Sequence, residues 1–352
     1  LKDGQGRTLH FAVPGALETP TGGYAYARRM AAELASRGWQ IRLVELAAGF
    51  PLPENHELEA AERAFAHLPD GALAMIDGLA FGAMPEIAER HCERLRLAAL
   101  VHHPLAEETG LDDATAARLH HSERRALAAA QAVICTSRHT ASRLVSIYGV
   151  PSSRLVVVEP GTDPQPRARP ERQPPLLLSL GALIPRKGHD LLIEALAILA
   201  GHDWRARLVG SRAYAPAWAA HIEALAARRG LQDRIRFADA VADAGAELAA
   251  AQIFVLPSHH EGFGMAFAEA MSSGLPVVGC KTGAVPDLVP ETAGLLVPPG
   301  DVHALVGALG ALVDDVGLRC RLARGALRAA GRLPSWDEAG ARLAAILARI
   351  AA

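Results

Sequence analysis

Short apolar runs alternate along the chain with longer alanine-rich segments whose apolar residues recur at helical spacing. In the first half the runs fall at residues 8–13, 40–46, 72–76, 97–101, 131–135 and 155–158, with helices between them such as 24–37 and 114–130. Apolar runs this short, separated by helices, predict strands of a parallel sheet covered on both faces. The alternation then breaks. Residues 159–175 hold six prolines and read as a linker between domains, because proline fits neither a helix interior nor a central strand. A second series follows, with strands predicted at 176–180, 206–209, 235–237, 253–256, 276–279 and 294–297.

The predicted fold class is therefore α/β, with two Rossmann-like, doubly wound, parallel-sheet domains. The first covers residues 1–165 and the second 166–334, and a further helix follows at 335–352, whose return to the first domain is implied only by the resemblance given below. Ligands of such sheets bind outside the carboxyl ends of the strands, so two domains facing one cleft would suit two substrates. The length of 352 residues agrees with about two domains. The 71 alanines favour many slender helices.

Charge narrows the range of partners. The net charge is −2 and no polybasic block is present, which argues against nucleic acid. No uncharged apolar run reaches the length of a membrane span, and the longest, such as 126–137, are much shorter. The polar start, residues 1–6, reads as a trimmed end rather than a secretion signal. Cys92, Cys135, Cys280 and Cys320 lie far apart with no C-x-x-C spacing, which fits a reducing, cytoplasmic setting, and Arg28, Arg29 and Arg37 of the helix 24–37 are too few for more than peripheral contact at the inner membrane face.

The densest candidate chemistry lies between Phe254 and Gly279. A strand runs into Pro257-Ser-His-His-Glu-Gly-Phe-Gly264, and a helix is expected from about Met265. Glycines let the backbone approach a ligand, and free amides at a helix start attract an anion. Glu261 precedes this helix and Glu269 lies just over one turn into it, so both carboxylates could face one pocket and accept hydrogen bonds from sugar hydroxyls. A lone Glu269 would equally suit a solvated helix face. Arg186 and Lys187, after the strand ending at Gly181, could neutralise a diphosphate or form an exposed basic turn. Gly22 and Gly23 open the first helix as an approach site for phosphate or acceptor. His102 and His103 end a strand, where either one could contact substrate or cap the chain, and their adjacency and spacing do not suit zinc. Walker A, dinucleotide G-x-G-x-x-G, H-E-x-x-H and G-x-S-x-G patterns are absent.

These motifs resemble the retaining glycosyltransferases of family 4, which have the GT-B fold. The resemblance rests on Glu-x7-Glu from Glu261 to Glu269, the following Ala-Met-Ser-Ser-Gly-Leu-Pro-Val-Val, and Arg186-Lys187-Gly188. Gly22-Gly23, Ser137, Gly294 to Asp301 and Ser335-Trp336 add to it. It implies that Glu269 holds the ribose of a nucleotide sugar, that Glu261 holds hydroxyls of the transferred sugar and that Lys187 pairs with the diphosphate. The implied donor set is Gly22, Gly23, Arg186, Lys187, Glu261, Gly262, Phe263, Gly264, Met265 and Glu269, and the implied catalytic set is His103, Lys187 and Glu261. It further implies a last helix that returns to the first domain, no metal or other cofactor, and a UDP-sugar in preference to a GDP-sugar. The acceptor could be a lipid, a saccharide or a small metabolite. The family usually carries an arginine where this chain has Ala182, and Arg186 is expected to take its place. Other GT-B chemistry, such as epimerase or phosphorylase activity, and a non-catalytic sugar-nucleotide-binding role stand as the alternatives.

Overall fold

A computed structural model describes residues 7–352, so the reading of residues 1–6 lies outside the described residues. The chain divides into two compact units. One runs to Gly161 and resumes over Pro334–Ala352, and the other is Thr162–Leu333. The divisions thus fall at 161/162 and 333/334, where the pattern places the first at 165/166 and the resemblance implies the second at 334/335.

The N-terminal unit contains β1 (Thr8–Pro14), β2 (Gln40–Leu46), β3 (Leu73–Asp77), β4 (Arg96–Val101), β5 (Ala132–Cys135) and β6 (Leu155–Val157). They form a six-stranded parallel sheet in the order β2-β1-β3-β4-β5-β6. The C-terminal unit contains β7 (Leu176–Leu180), β8 (Arg205–Val209), β9 (Ile235–Ala238), β10 (Ile253–Leu256), β11 (Val277–Cys280) and β12 (Gly294–Val297), in the order β12-β11-β10-β7-β8-β9. Central strands such as β5 and β10 are buried along their whole length, as strands covered on both faces must be. The edge strand β2 keeps Gln40, Arg42 and Glu45 partly or fully exposed, which discourages pairing with another chain. In each sheet the strand order reverses at one point, between β1 and β3 in the first and between β7 and β10 in the second. Ligands of such sheets bind at that reversal.

Helix ends account for several residues of the sequence pattern. Ser137 and Asp301 are N-caps, accepting from the backbone N–H of Thr140 and Ala304 at 3.1 and 2.9 Å. Ser335 and Glu338 form a reciprocal capping box at the start of the last helix, Trp336–Ala351. That helix packs within the N-terminal unit against the first helix, Gly22–Ser36. Its Trp336 ring lies 6.1 Å from Tyr26 and takes the Arg29 guanidinium over its face at 5.0 Å. Among the described residues no helix is long and apolar enough to cross a membrane.

The proline-rich stretch is no loose tether over its second part, which is tied down within the C-terminal unit. Ser272 donates to Asp163 O at 3.0 Å, Ala168 N–H donates to Ser273 O at 2.9 Å, and Ser273 donates to Pro166 O. Further on, the fully buried guanidinium of Arg319 donates to the carbonyls of Pro170, Leu312 and Val313 at 2.9, 2.6 and 2.8 Å. Proline cannot donate from its nitrogen, so a segment rich in it is held mainly through its carbonyls.

Candidate functional site

In the C-terminal unit the loops after β7 and β10 meet at the strand reversal, and backbone contacts decide how closely. Gly188 has φ +65°, and a Cβ there would collide with the carbonyl of Pro257. Only glycine fits both conditions. The backbone N–H of His259 donates to Arg186 O at 2.8 Å, and the Arg186 guanidinium donates to His260 O at 3.0 Å. On the other side, Ala284 N–H donates to Glu261 O at 2.9 Å, and Gly283, at φ +54°, again leaves no room for a Cβ beside that carbonyl.

This scaffold sets Glu261, which is 6% exposed, against Lys187. Lys187 Nζ and Ser258 Oγ both donate to Glu261 Oε1, each at 2.6 Å. With both bonds on Oε1, Oε2 keeps its acceptor positions for a ligand. Burial pushes the Glu261 carboxyl up, but the charges of Lys187 and Arg186 and the two hydrogen bonds outweigh it, and the group is held below the usual carboxylate range. Glu261 is therefore an anion at neutral pH.

Glu269 behaves differently. It sits on the helix Met265–Ser273, whose N-cap is Gly264 and which has no side-chain cap, so its first amides stay available to an anion. Burial pushes the Glu269 carboxyl up to about 7, helped by the charges of Asp163 and Asp243. The two glutamates of the Glu-x7-Glu pattern thus differ in charge near neutral pH. Gly262 and Met265 are partly exposed, while Phe263 and Gly264 are buried.

In the N-terminal unit the strand reversal gathers a second group. The loop after β1 is held from the first helix, where Arg28 donates to Leu17 O and Thr19 O at 2.6 and 3.1 Å and the Tyr24 hydroxyl donates to Pro14 O. Gly22 and Gly23 begin that helix, and the space a Cβ would take at Gly23 is bounded by the His102 imidazole, 3.3 Å from its Cδ2. His102 meets Tyr26 edge-on at 5.4 Å, and its Nε2 lies 3.6 Å from Oδ2 of the buried Asp77 at the end of β3. His103 instead pairs with Glu108, Nε2 to Oε2, at 3.2 Å.

The structure therefore brings Arg186, Lys187 and Glu261 together in the C-terminal unit, with Glu269 in a separate acidic setting of the same unit. Gly22, Gly23 and His103 belong to the N-terminal unit, where Gly23 faces His102 rather than His103. Sequence reasoning missed Asp77, Glu108 and Ser258. A carboxylate closing an otherwise apolar strand, as Asp77 does, was a signal that could have found the first. A cavity of about 450 Å³ in the N-terminal unit, lined by Leu58, Glu62, Arg63, Met84, Ile87 and Arg90 among others, contains none of the predicted site residues.

Comparison with known proteins agrees with this layout. A model of "Glycosyltransferase Family 4" matches residues 20–166, and a model of "Glycosyl transferases group 1" matches residues 174–315. A D-inositol 3-phosphate glycosyltransferase of Xylanimonas cellulosilytica is 34% identical over 254 residues, covering 64% of this chain and 59% of that protein. The chain thus spans less than two thirds of that relative's length. Among solved structures, sucrose-phosphate synthase from Thermosynechococcus elongatus superposes with a TM-score of 0.83 at 20% identity, over 98% of this chain and 99% of that one. Anabaena HepE in complex with UDP-glucose gives 0.78 at 18% identity, over 97% and 99%.

Proposed function

The chain belongs to the family 4-like GT-B glycosyltransferases, and we propose that it is a retaining transferase moving a hexose-type sugar from a nucleoside diphosphate sugar to an acceptor hydroxyl. The observation that carries this reading is the Lys187–Glu261–Ser258 cluster at the β7/β10 reversal. A cation and a charged acceptor held side by side match a donor whose diphosphate is anionic and whose sugar is a hydroxyl donor. Breaking the anomeric C–O bond leaves charge on the phosphate. Lys187, Arg186 and the open amides of the Met265–Ser273 helix are the groups that would receive it, without a metal. Arg186 then stands in for the cation that Ala182 does not supply.

Glu261 takes the sugar hydroxyls through Oε2, and Glu269 takes the ribose. Gly22 and Gly23, which the resemblance put in the donor set, lie with His103 in the N-terminal unit and are assigned with it to the acceptor. The anomeric carbon forms its new bond to the acceptor oxygen on the face the phosphate leaves, and the departing phosphate oxygen takes the acceptor's proton. Configuration is then retained. A UDP-sugar is favoured, in line with the UDP-glucose named for the Anabaena structure. A small polyol phosphate is one acceptor to try first, given the name of the Xylanimonas relative.

The test is a thermal-shift screen over UDP- and GDP-sugars, followed by assay of nucleoside diphosphate release and NMR of the product's anomeric centre. A bound donor at 100 times its dissociation constant raises stability by about 2.7 kcal/mol. Stabilisation by a nucleotide sugar, nucleoside diphosphate release and a retained linkage are expected. No stabilisation and no release with any donor would sink the assignment. An inverted linkage would remove the front-face step, and a product that keeps its nucleotide would point to epimerisation.

A further inference from the structure

A buried acid in the N-terminal unit has no part in the chemistry above. Glu123, on the helix Asp113–Ala129, is 1% exposed. Its Oε2 accepts a hydrogen bond from the backbone N–H of Leu105 at 2.8 Å, while Oε1 has no hydrogen-bond partner. A carboxylate buried this way without a cation would cost several kcal/mol, whereas a neutral acid carries its proton on the second oxygen.

Leu105 lies just beyond the β4 loop, and the chain before it is pinned as well. The carbonyl of His102 accepts from the Thr140 hydroxyl at 3.2 Å and lies 3.4 Å from that of Thr136. Between that fixed carbonyl and the fixed amide of Leu105 stand only His103 and Pro104, and Pro104 has its φ set by its ring, at −63°. These two anchors therefore fix the backbone from which the His103 imidazole reaches Glu108 at 3.2 Å.

Taking the acceptor role of His103 from the reading above, we propose that Glu123 is a positioning residue that grips the Leu105 amide and thereby orients His103. Burial raises the Glu123 carboxyl to about 8, the Leu105 amide lowers it, the charge of Glu107 raises it and the neighbouring Tyr148 lowers it. Glu107 comes from the turn after Pro104 and is itself paired with Arg143 at 2.7 Å. Tyr148, whose ionisation burial also pushes up, packs against His120 of the Glu123 helix with ring centroids 4.8 Å apart. The carboxyl is uncharged at neutral pH and ionises above about pH 8, and because the Leu105 amide favours the charged form, the grip tightens on the alkaline side.

Two measurements on the full chain test this. Hydrogen exchange at the Leu105 amide, corrected for its intrinsic base-catalysed rate, reads the grip directly. Steady-state transfer reads its consequence. In the parent protein, protection of Leu105 should rise as pH rises through about 8. Glu123→Gln, which keeps an uncharged acceptor, should flatten that profile and retain most of the turnover. Glu123→Leu should lose about tenfold in Leu105 protection and a similar factor in kcat, with donor KM within about twofold.

Unchanged protection in Glu123→Leu overturns the proposal, as does a lost grip with an unaltered kcat. If Glu123→Leu does not fold, the comparison of the parent with Glu123→Gln decides, and identical alkaline profiles overturn the proposal. If the parent transfers no sugar at all, the failure belongs to the assigned function, and the exchange measurement still judges the grip.

Discussion

The two strand reversals solve the same problem with different materials. In the C-terminal unit the loops are fitted by backbone against backbone, Gly188 under the Pro257 carbonyl and Gly283 beside the Glu261 carbonyl, with one ion pair set into the result. In the N-terminal unit long side chains do the fitting. Arg28 holds the β1 loop, Glu123 holds Leu105, Arg143 holds Glu107, and Glu108 pairs with His103. Backbone fitting demands glycine at fixed spacing, so it leaves a compact sequence motif. Side-chain fitting draws on residues far apart in the chain and leaves none.

The largest expected effect breaks the comparison at its single charge. Lys187→Ala removes a cation that at about 4 Å and an effective dielectric of 20 is worth roughly 4 kcal/mol, or about a thousandfold in turnover. Nucleoside diphosphate release measures it, and a loss below tenfold would show that Arg186 and the helix amides suffice. Next comes the contrast between glycines. Gly188→Ala combines a left-handed φ with a collision against backbone and should cost about 3 kcal/mol or more. Gly23→Ala meets only the edge of a movable imidazole at 3.3 Å and should cost less than about 1 kcal/mol. Denaturation of both variants checks this, and equal losses would erase the distinction between the two kinds of fitting.

A further contrast separates the two glutamates. Glu269 has its folded-state value raised to about 7, so the folded protein holds a proton that the unfolded chain has already released. Stability therefore falls as pH rises from about 4.5 to about 7 and then levels. Glu269→Gln does not titrate, and it should gain roughly 2 kcal/mol over the parent across that window while losing donor affinity. Melting temperatures against pH decide the matter. Glu261 has the opposite sign, because its lowered value contributes stability above the ordinary carboxylate range that is lost on acidification.

Much of the architecture was legible because parallel strands buried on both faces must be apolar throughout. All twelve strands lie within a residue or so of their predicted positions. The Glu-x7-Glu loop was legible because its glycines and carboxylates are close together in sequence. Its electrostatic asymmetry was not, since Asp163 and Asp243, which help raise Glu269, come from distant segments. His102 and His103 are one symbol repeated, and only the fold turns one towards Gly23 and Asp77 and the other towards Glu108. Arg319 and Glu123 left no signal in the sequence, because their partners are backbone atoms and no residue type announces a carbonyl or an amide.

Arg319 carries one more consequence. The ion pairs of this protein depend on carboxylates and weaken as acid protonates them. The bonds from Arg319 to Pro170, Leu312 and Val313 join a guanidinium to peptide carbonyls, and neither side titrates in that range. The strap over the proline-rich segment should therefore outlast the Lys187–Glu261 pair on acidification. An acid-exposed molecule would then lose its ligand-ready charges while that segment is still fastened.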